Sequence, residues 1–136
     1  MRLILALGLA AAPFAIAAED SPPREVGVEG EISFPALGGI RNFRADSDRG
    51  VWLEDRQRNW YYARFLGTCP EIRFAQGIDI DTRGSVRFDK YSKILVRGNV
   101  CAIATLVTAD KPLSDREQRK LRKQAEAELK AEAAAN

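Results

Sequence analysis

The sequence predicts a mainly β domain, a small antiparallel barrel or strongly curved sheet of about six strands, with one disulfide and a charged C-terminal α-helix. Three observations carry that expectation. Between residues 32 and 111, short runs of β-branched, aromatic and aliphatic residues alternate with turn-forming glycine, asparagine and aspartate. Two cysteines, Cys69 and Cys101, lie in that same region. Beyond Lys111-Pro112, Ser114-Asp115-Arg116-Glu117 has capping-box spacing: the serine can accept an orphan helix amide while the glutamate reaches back.

With 136 residues and 46% apolar composition, the chain is sized for one modest domain with a small core. Histidine is absent. That removes the side chain that most often serves as general base near neutral pH and as a transition-metal ligand. The formal net charge is +2, so no global field draws the chain to nucleic acid or anionic lipid. Locally the charge is uneven. Residues 19–31 carry five acids and one base, Arg24, whereas residues 32–111 carry thirteen bases and nine acids.

Residues 1–18 read as a secretory signal peptide: a positive Arg2, an apolar run from Leu3 to Ala12, and small residues at Ala15 and Ala17 ahead of Glu19. The ten residues before Pro13 are too few to span a bilayer. Cleavage is expected after Ala17 or Ala18, leaving a periplasmic or secreted protein with no stable membrane insertion. In an exported chain an even cysteine count suggests that Cys69 and Cys101 are oxidised to one disulfide.

The chain then reads in order. Residues 19–31, with Ser-Pro-Pro and two glycines, lack apolar periodicity and are expected to be a flexible acidic arm. The alternative is an arm folded back on the basic domain. Ile32, Phe34 and Leu37 are candidates to dock its end. The β domain of residues 32–111 begins in earnest with a strand at Ile40–Ala45, followed by a turn at Asp46–Gly50. That turn resembles the opening of a calcium loop, but Arg49 stands where a third oxygen ligand is needed, so no metal site is assigned. Val51–Glu54 and Trp60–Leu66 form the central hairpin around the polar run Asp55–Asn59. Ile78–Thr82 alternates apolar and acidic, Arg83–Ser85 turns it, and Val86 and Phe88 continue the strand. Asp89–Ser92 is a corner. Lys93–Arg97 and Val100–Val107 close the domain through a Gly98-Asn99 turn, both residues tolerating positive φ. In residues 112–136, Leu121, Ala125 and Leu129 make a thin stripe on a charged helix: either a solvated helix or one that binds a partner or a second copy.

The run WYYARFLGTC, with FDKYSKILVRGNVCAIATL after it, resembles a family of small exported proteobacterial proteins described only as a domain of unknown function. The resemblance covers about Phe34 to Pro112. It rests on Gly38-Gly39-Ile40-Arg41, Trp60-Tyr61, the two cysteines, Phe88-Asp89-Lys90-Tyr91-Ser92 and the ending Gly98-x-x-Cys101. Lys90 and Tyr91 depart mildly from the arginine and phenylalanine of that pattern. The likeness implies the same fold, export in a Gram-negative bacterium and the disulfide; it implies no activity, cofactor or catalytic residue.

Chemistry-bearing motifs are sparse. There is no Gly-x-Ser-x-Gly and no Ser-x-x-Lys, and no glycine-rich loop leads into a helix. Glu54 with Asp55, and Asp79 with Asp81, are carboxylate pairs better read as surface charge. No catalytic residue, metal ligand or cofactor is assigned. Period-2 alternation places Trp60, Tyr62 and Arg64 on one face of a strand and Tyr61, Ala63 and Phe65 on the other. Small Ala63 beside Phe65 suits close packing inside, which leaves Trp60, Tyr62 and Arg64 partly outside; the pattern leaves the reverse assignment open. With Arg56 and Arg58 on the adjoining loop, these residues are the candidate contact surface for a protein or envelope component. Two other readings accompany that one: an inhibitor presenting loop Asp55–Asn59 to a secreted hydrolase, and an enzyme built on the Asp89, Tyr91 and Ser92 corner.

Overall fold

The computed structural model describes residues 24–136. The expected signal peptide at 1–18, its expected cleavage positions Ala17 and Ala18, and the first residues of the arm lie outside the described residues. Eight strands are formed: β1 (Ile32–Ser33), β2 (Ile40–Asp46), β3 (Gly50–Asp55), β4 (Trp60–Phe65), β5 (Asp79–Asp81), β6 (Arg87–Phe88), β7 (Lys93–Val96) and β8 (Asn99–Ala109). A helix, α1, spans Asp115–Ala135. Six of the strands form one sheet in the order β2-β3-β4-β8-β7-β5, every neighbour antiparallel, curled into a half-barrel. β1 and β6 pair separately as a short ribbon.

The curl is organised by β8, the longest strand. Its first residues pair with β7, with Cys101 opposite Ile94, and its later ones with β4, with Leu106 opposite Ala63. Between these, Arg64 faces Thr105 while Phe65 faces Ile103, so Ala104 is an extra, unpaired residue. Such a bulge bends its strand and raises the local twist. It also switches which side chains point inward: Cys101 and Ile103 are buried before it, Leu106 after it. One strand thereby lines the same core from two walls.

The core so enclosed contains Val51, Leu53, Ala63, Phe65, Ile94, Val96 and Leu106, with Ile32, Ile72 and Phe88 closing its ends. Cys69, just beyond β4, is bonded to Cys101 in β8. Both lie in the core. Beyond the bridge, the 3₁₀ turn Pro70–Phe74 sends Ile72 inward as a plug.

Several local expectations shift. The β7–β8 turn is Arg97-Gly98, both at positive φ, with Asn99 already paired to Val96. A two-residue I′ turn needs left-handed backbone at both central positions, and the register places Arg97 there instead of Asn99. β6 pairs with β1, whereas Val86, expected to continue the strand before it, is exposed. Phe34 and Leu37 do not dock: they are exposed, and Ile32 alone of the three is buried.

Residues 24–31 run back along the edge of β8 that β7 leaves open. Gly27 and Gly30 donate to the Thr108 and Leu106 carbonyls at 2.7 and 3.0 Å, and Thr108 donates to Val28 at 2.8 Å. Glu29 pairs with Lys90 and Glu31 with Arg87. Over this stretch the acidic segment is a strap on the domain instead of a free arm.

At the other end, the capping box of α1 is complete. Ser114 Oγ accepts from the Glu117 amide, and the Glu117 carboxylate accepts from the Ser114 hydroxyl at 2.6 Å and from the Ser114 amide at 2.7 Å, bonds that lower the pKa of Glu117, the hydroxyl foremost. Among the described residues no helix is long and apolar enough to cross a membrane.

The bridge joins residues 32 apart in sequence. Replacing both cysteines by alanine is therefore expected to lower the unfolding free energy by roughly 3 to 4 kcal/mol on loop-closure grounds. Urea denaturation of the two proteins, compared at equal slope, measures the difference.

Candidate functional site

The β3–β4 hairpin is built around one nearly buried carboxylate. Asp55 is 8% exposed. Its Oδ1 accepts from the Gln57 and Asn59 amides, each at 2.8 Å, and its Oδ2 from Asn59 Nδ2 at 3.1 Å and the Tyr61 hydroxyl at 3.3 Å. An aspartate that bonds amides two and four residues ahead of it closes a loop on itself. Arg56, Gln57 and Arg58 are held outward at its tip, Arg58 in the left-handed region at φ 67°. The Arg56 amide donates to Gly39 at 3.2 Å, tying this loop to the turn before β2. Between the two loops lies a cleft of about 330 Å³ that reaches Phe34, Asp55, Arg56 and Tyr61.

β4 turns Tyr61, Ala63 and Phe65 inward, the face that small Ala63 beside Phe65 suggests. Trp60, Tyr62 and Arg64 take the outer face, but unequally. Arg64 is exposed and Tyr62 half-buried, while Trp60, expected partly outside, is buried. Trp60 stands on an interior strand with Glu54 on one side and Ala109 on the other. Neighbours on both flanks shield a large ring in a way that period-2 alternation cannot reveal. Its carbonyl accepts from Arg24 at 2.9 Å, and the Arg24 guanidinium lies 4.2 Å from the Tyr61 ring centre.

The accessible aromatic pair on this face is instead Trp52 with Tyr62, cross-strand partners whose ring centres are 5.2 Å apart. Arg44 flanks them on β2 and Val107 on β8. The Tyr62 ring crosses β3 at Gly50, where a Cβ would overlap its hydroxyl, and so reaches Asp46, to which it donates at 2.7 Å. Partial burial and the Asp46 carboxylate push the Tyr62 pKa up to about 12. Burial raises that of Tyr61 as well, the nearby Arg24 charge opposing it and Asp55 adding to it. Trp52, Asp46 and Gly50 were not singled out as site residues from sequence. The signal available was Gly50, since a glycine opening a strand often marks close approach of another group.

At the third candidate position, Asp89 is consumed by its own turn. Its Oδ1 accepts from the Tyr91 amide at 2.9 Å and from Ser92 Oγ at 3.3 Å, and Ser92 Oγ accepts from the Asp89 amide at 3.1 Å. Ser92 is buried and the Tyr91 ring points to solvent. A serine already donating to a carboxylate that caps a turn has no free base beside it, and the corner reads as structure. Asp81 is likewise a turn former, accepting from the Arg83 amide at 2.8 Å. Among the described residues no three histidine, cysteine, aspartate or glutamate side chains gather as a metal site.

A family model matches this sequence over residues 1–129. The chain belongs to DUF6491, a family of unknown function. The DUF6491 match runs past the β domain into α1, further than the Phe34–Pro112 span of the sequence resemblance. No curated protein and no solved structure matches the chain.

The Tyr62–Asp46 bond has a pH signature. A phenol whose folded pKa is raised holds its proton more tightly in the folded protein. Its contribution to stability is therefore complete below the ordinary tyrosine value near 10 and is lost as pH rises toward about 12. Alkaline titration of phenolate absorbance is expected to show this late-ionising tyrosine, and Asp46→Asn to move it down toward the ordinary range. Gly50→Ala, which displaces the ring, is expected to lower it too.

Proposed function

We propose that this protein is a non-enzymatic module, exported to the periplasm or beyond by a Gram-negative bacterium, that binds a protein or envelope component through the outer face of the β3–β4 hairpin. The observation that supports this most is the Trp52–Tyr62 pair, held by Asp46 and Gly50 on an interior part of the sheet. Exposed Arg64 stands beside it, and Arg56 and Arg58 at the adjoining loop. Aromatic and arginine side chains supply most of the energy at protein contacts, and side chains already fixed in place lose little entropy on binding. The leader-like sequence of residues 1–18 and the buried disulfide support export. A folded protein or glycan surface suits this face better than nucleic acid, given the small net charge.

A second reading has one observation in its favour. The Asp55 hydrogen bonds make Arg56–Arg58 a rigid, outward loop, the form in which small stapled domains inhibit secreted hydrolases. Loss of inhibition with Arg58→Ala, across a panel of lytic and proteolytic enzymes, would identify that role; no inhibition by the wild-type protein would remove it.

The main proposal is tested by photo-crosslinking in a native cell envelope with the reactive residue at position 64. One dominant partner is expected, lost on Trp52→Ala in a protein that still folds and absent when the reactive residue sits at Asp79, on edge strand β5. Equal yields from both positions, or yields unaffected by Trp52→Ala, would contradict it.

A further inference from the structure

Helix α1 has no buried residue; Asp115, in its first turn, reaches back to Arg44. The remaining helix, on the order of 30 Å long, leaves Leu121 and Leu129 at 50% and 66% exposure. Its charges are segregated along its length. Arg116–Lys123 holds five bases and one acid, and Ala125–Ala135 three acids and one base. Its first turn still carries Asp115 and Glu117, the acids that the helix dipole favours there, so the segregation lies in the body of the helix beyond them. The last turn contains no base at all.

We propose that α1 is a self-association element that pairs antiparallel with α1 of a second copy of this chain. The apolar stripe is symmetric about Ala125, with Leu121 four residues before it and Leu129 four after. A two-fold axis through Ala125 therefore sets each Leu121 against Leu129 of the other copy, and only small Ala125 against itself. The same axis sets the basic half, Arg116–Lys123, of one helix against the acidic half, Ala125–Ala135, of the other, and like flank against like flank, so that Arg122 of each copy lies alongside Glu126 of the other. A parallel pair would instead stack basic half on basic half. Self-complementarity of both stripe and charge is what an isologous contact requires, and opposite charges beside a narrow apolar seam set the orientation of paired helices. The seam is short, so the pair forms at high protein concentration or where the chains are gathered together.

Sedimentation equilibrium of the oxidised full-length mature protein tests this. A monomer–dimer equilibrium is expected, weakening as salt rises from about 0.05 to 0.5 M, because the contacts that orient it are screened. Leu121→Ala with Leu129→Ala is expected to raise the dissociation constant about tenfold or more. Arg122→Glu, and separately Glu126→Arg, are each expected to abolish self-association, and a mixture of the two variants to restore dimers. A chain that stays monomeric at millimolar concentration overturns the proposal. So does a dimer indifferent to these substitutions, or one strengthened by salt. Binding of the monomer to phosphatidylglycerol vesicles through Arg116–Lys123, without dimers, would overturn it in favour of a membrane surface.

Discussion

Strand β8 must serve two walls of one core, and a single extra residue makes that possible. A regular strand of its length would present one alternation throughout, and the walls of a curled sheet cannot both be lined from one flat ribbon. At Ala104 the alternation changes phase, Ile103 and Leu106 both enter the core, and β7 can lie to one side while β4 lies to the other. The disulfide acts at the same place. Cys101 sits three residues before the bulge and Cys69 four after the end of β4, so the bridge fixes the chain leaving the hairpin to the strand about which the sheet bends.

This arrangement leaves the second half of β8 with one edge uncovered by β7, and an uncovered edge is a template for pairing with other chains. Residues 24–31 occupy it. Their backbone bonds carry the contact; the flanking pairs of Glu29 with Lys90 and Glu31 with Arg87 are exposed, and such pairs contribute little. The strap then leads directly into β1, which pairs with β6 across the end of the core. The acidic segment is thus placed by geometry, with charge as a secondary aid. Around the hairpin, Asp55 and Asp46 are spent on order: one closes the hairpin loop, the other fixes the Tyr62 ring. That expenditure of carboxylates is why the hairpin presents cations and aromatics outward on a rigid base.

Much of the fold was legible because local chemistry and tertiary role agree. The capping box of α1 and the polar loop between β3 and β4 follow from residue type and spacing alone, and small Ala63 beside Phe65 favours the inward face that period-2 alternation leaves open. The curled six-strand sheet and the Cys69–Cys101 bridge were legible too. What was not legible depends on partners far away in sequence. Nothing local distinguishes Val86, which is exposed, from Phe88, which is fully buried against the ribbon with β1. Trp60 is covered because Glu54 and Ala109 flank it, and Arg97 enters the left-handed region because the register of β7 and β8 places it at the turn. At the candidate site the arginines were visible in sequence, but Trp52 gained its role only through the cross-strand register with Tyr62. The polar appearance of residues 24–31 concealed a backbone role, since hydrogen bonds from main chain need no side-chain pattern.

The dependence of the whole sheet on β8, filled along both edges, is tested most directly by native-state amide hydrogen exchange. The amides of Gly27, Gly30 and Thr108 are predicted to be protected along with those of β4 and β8, and to lose protection together with them when denaturant is added. Exchange of Gly27, Gly30 and Thr108 at free-peptide rates, while β4 and β8 stay protected, would contradict the account: the edge of β8 would then be open and the strap no part of the fold.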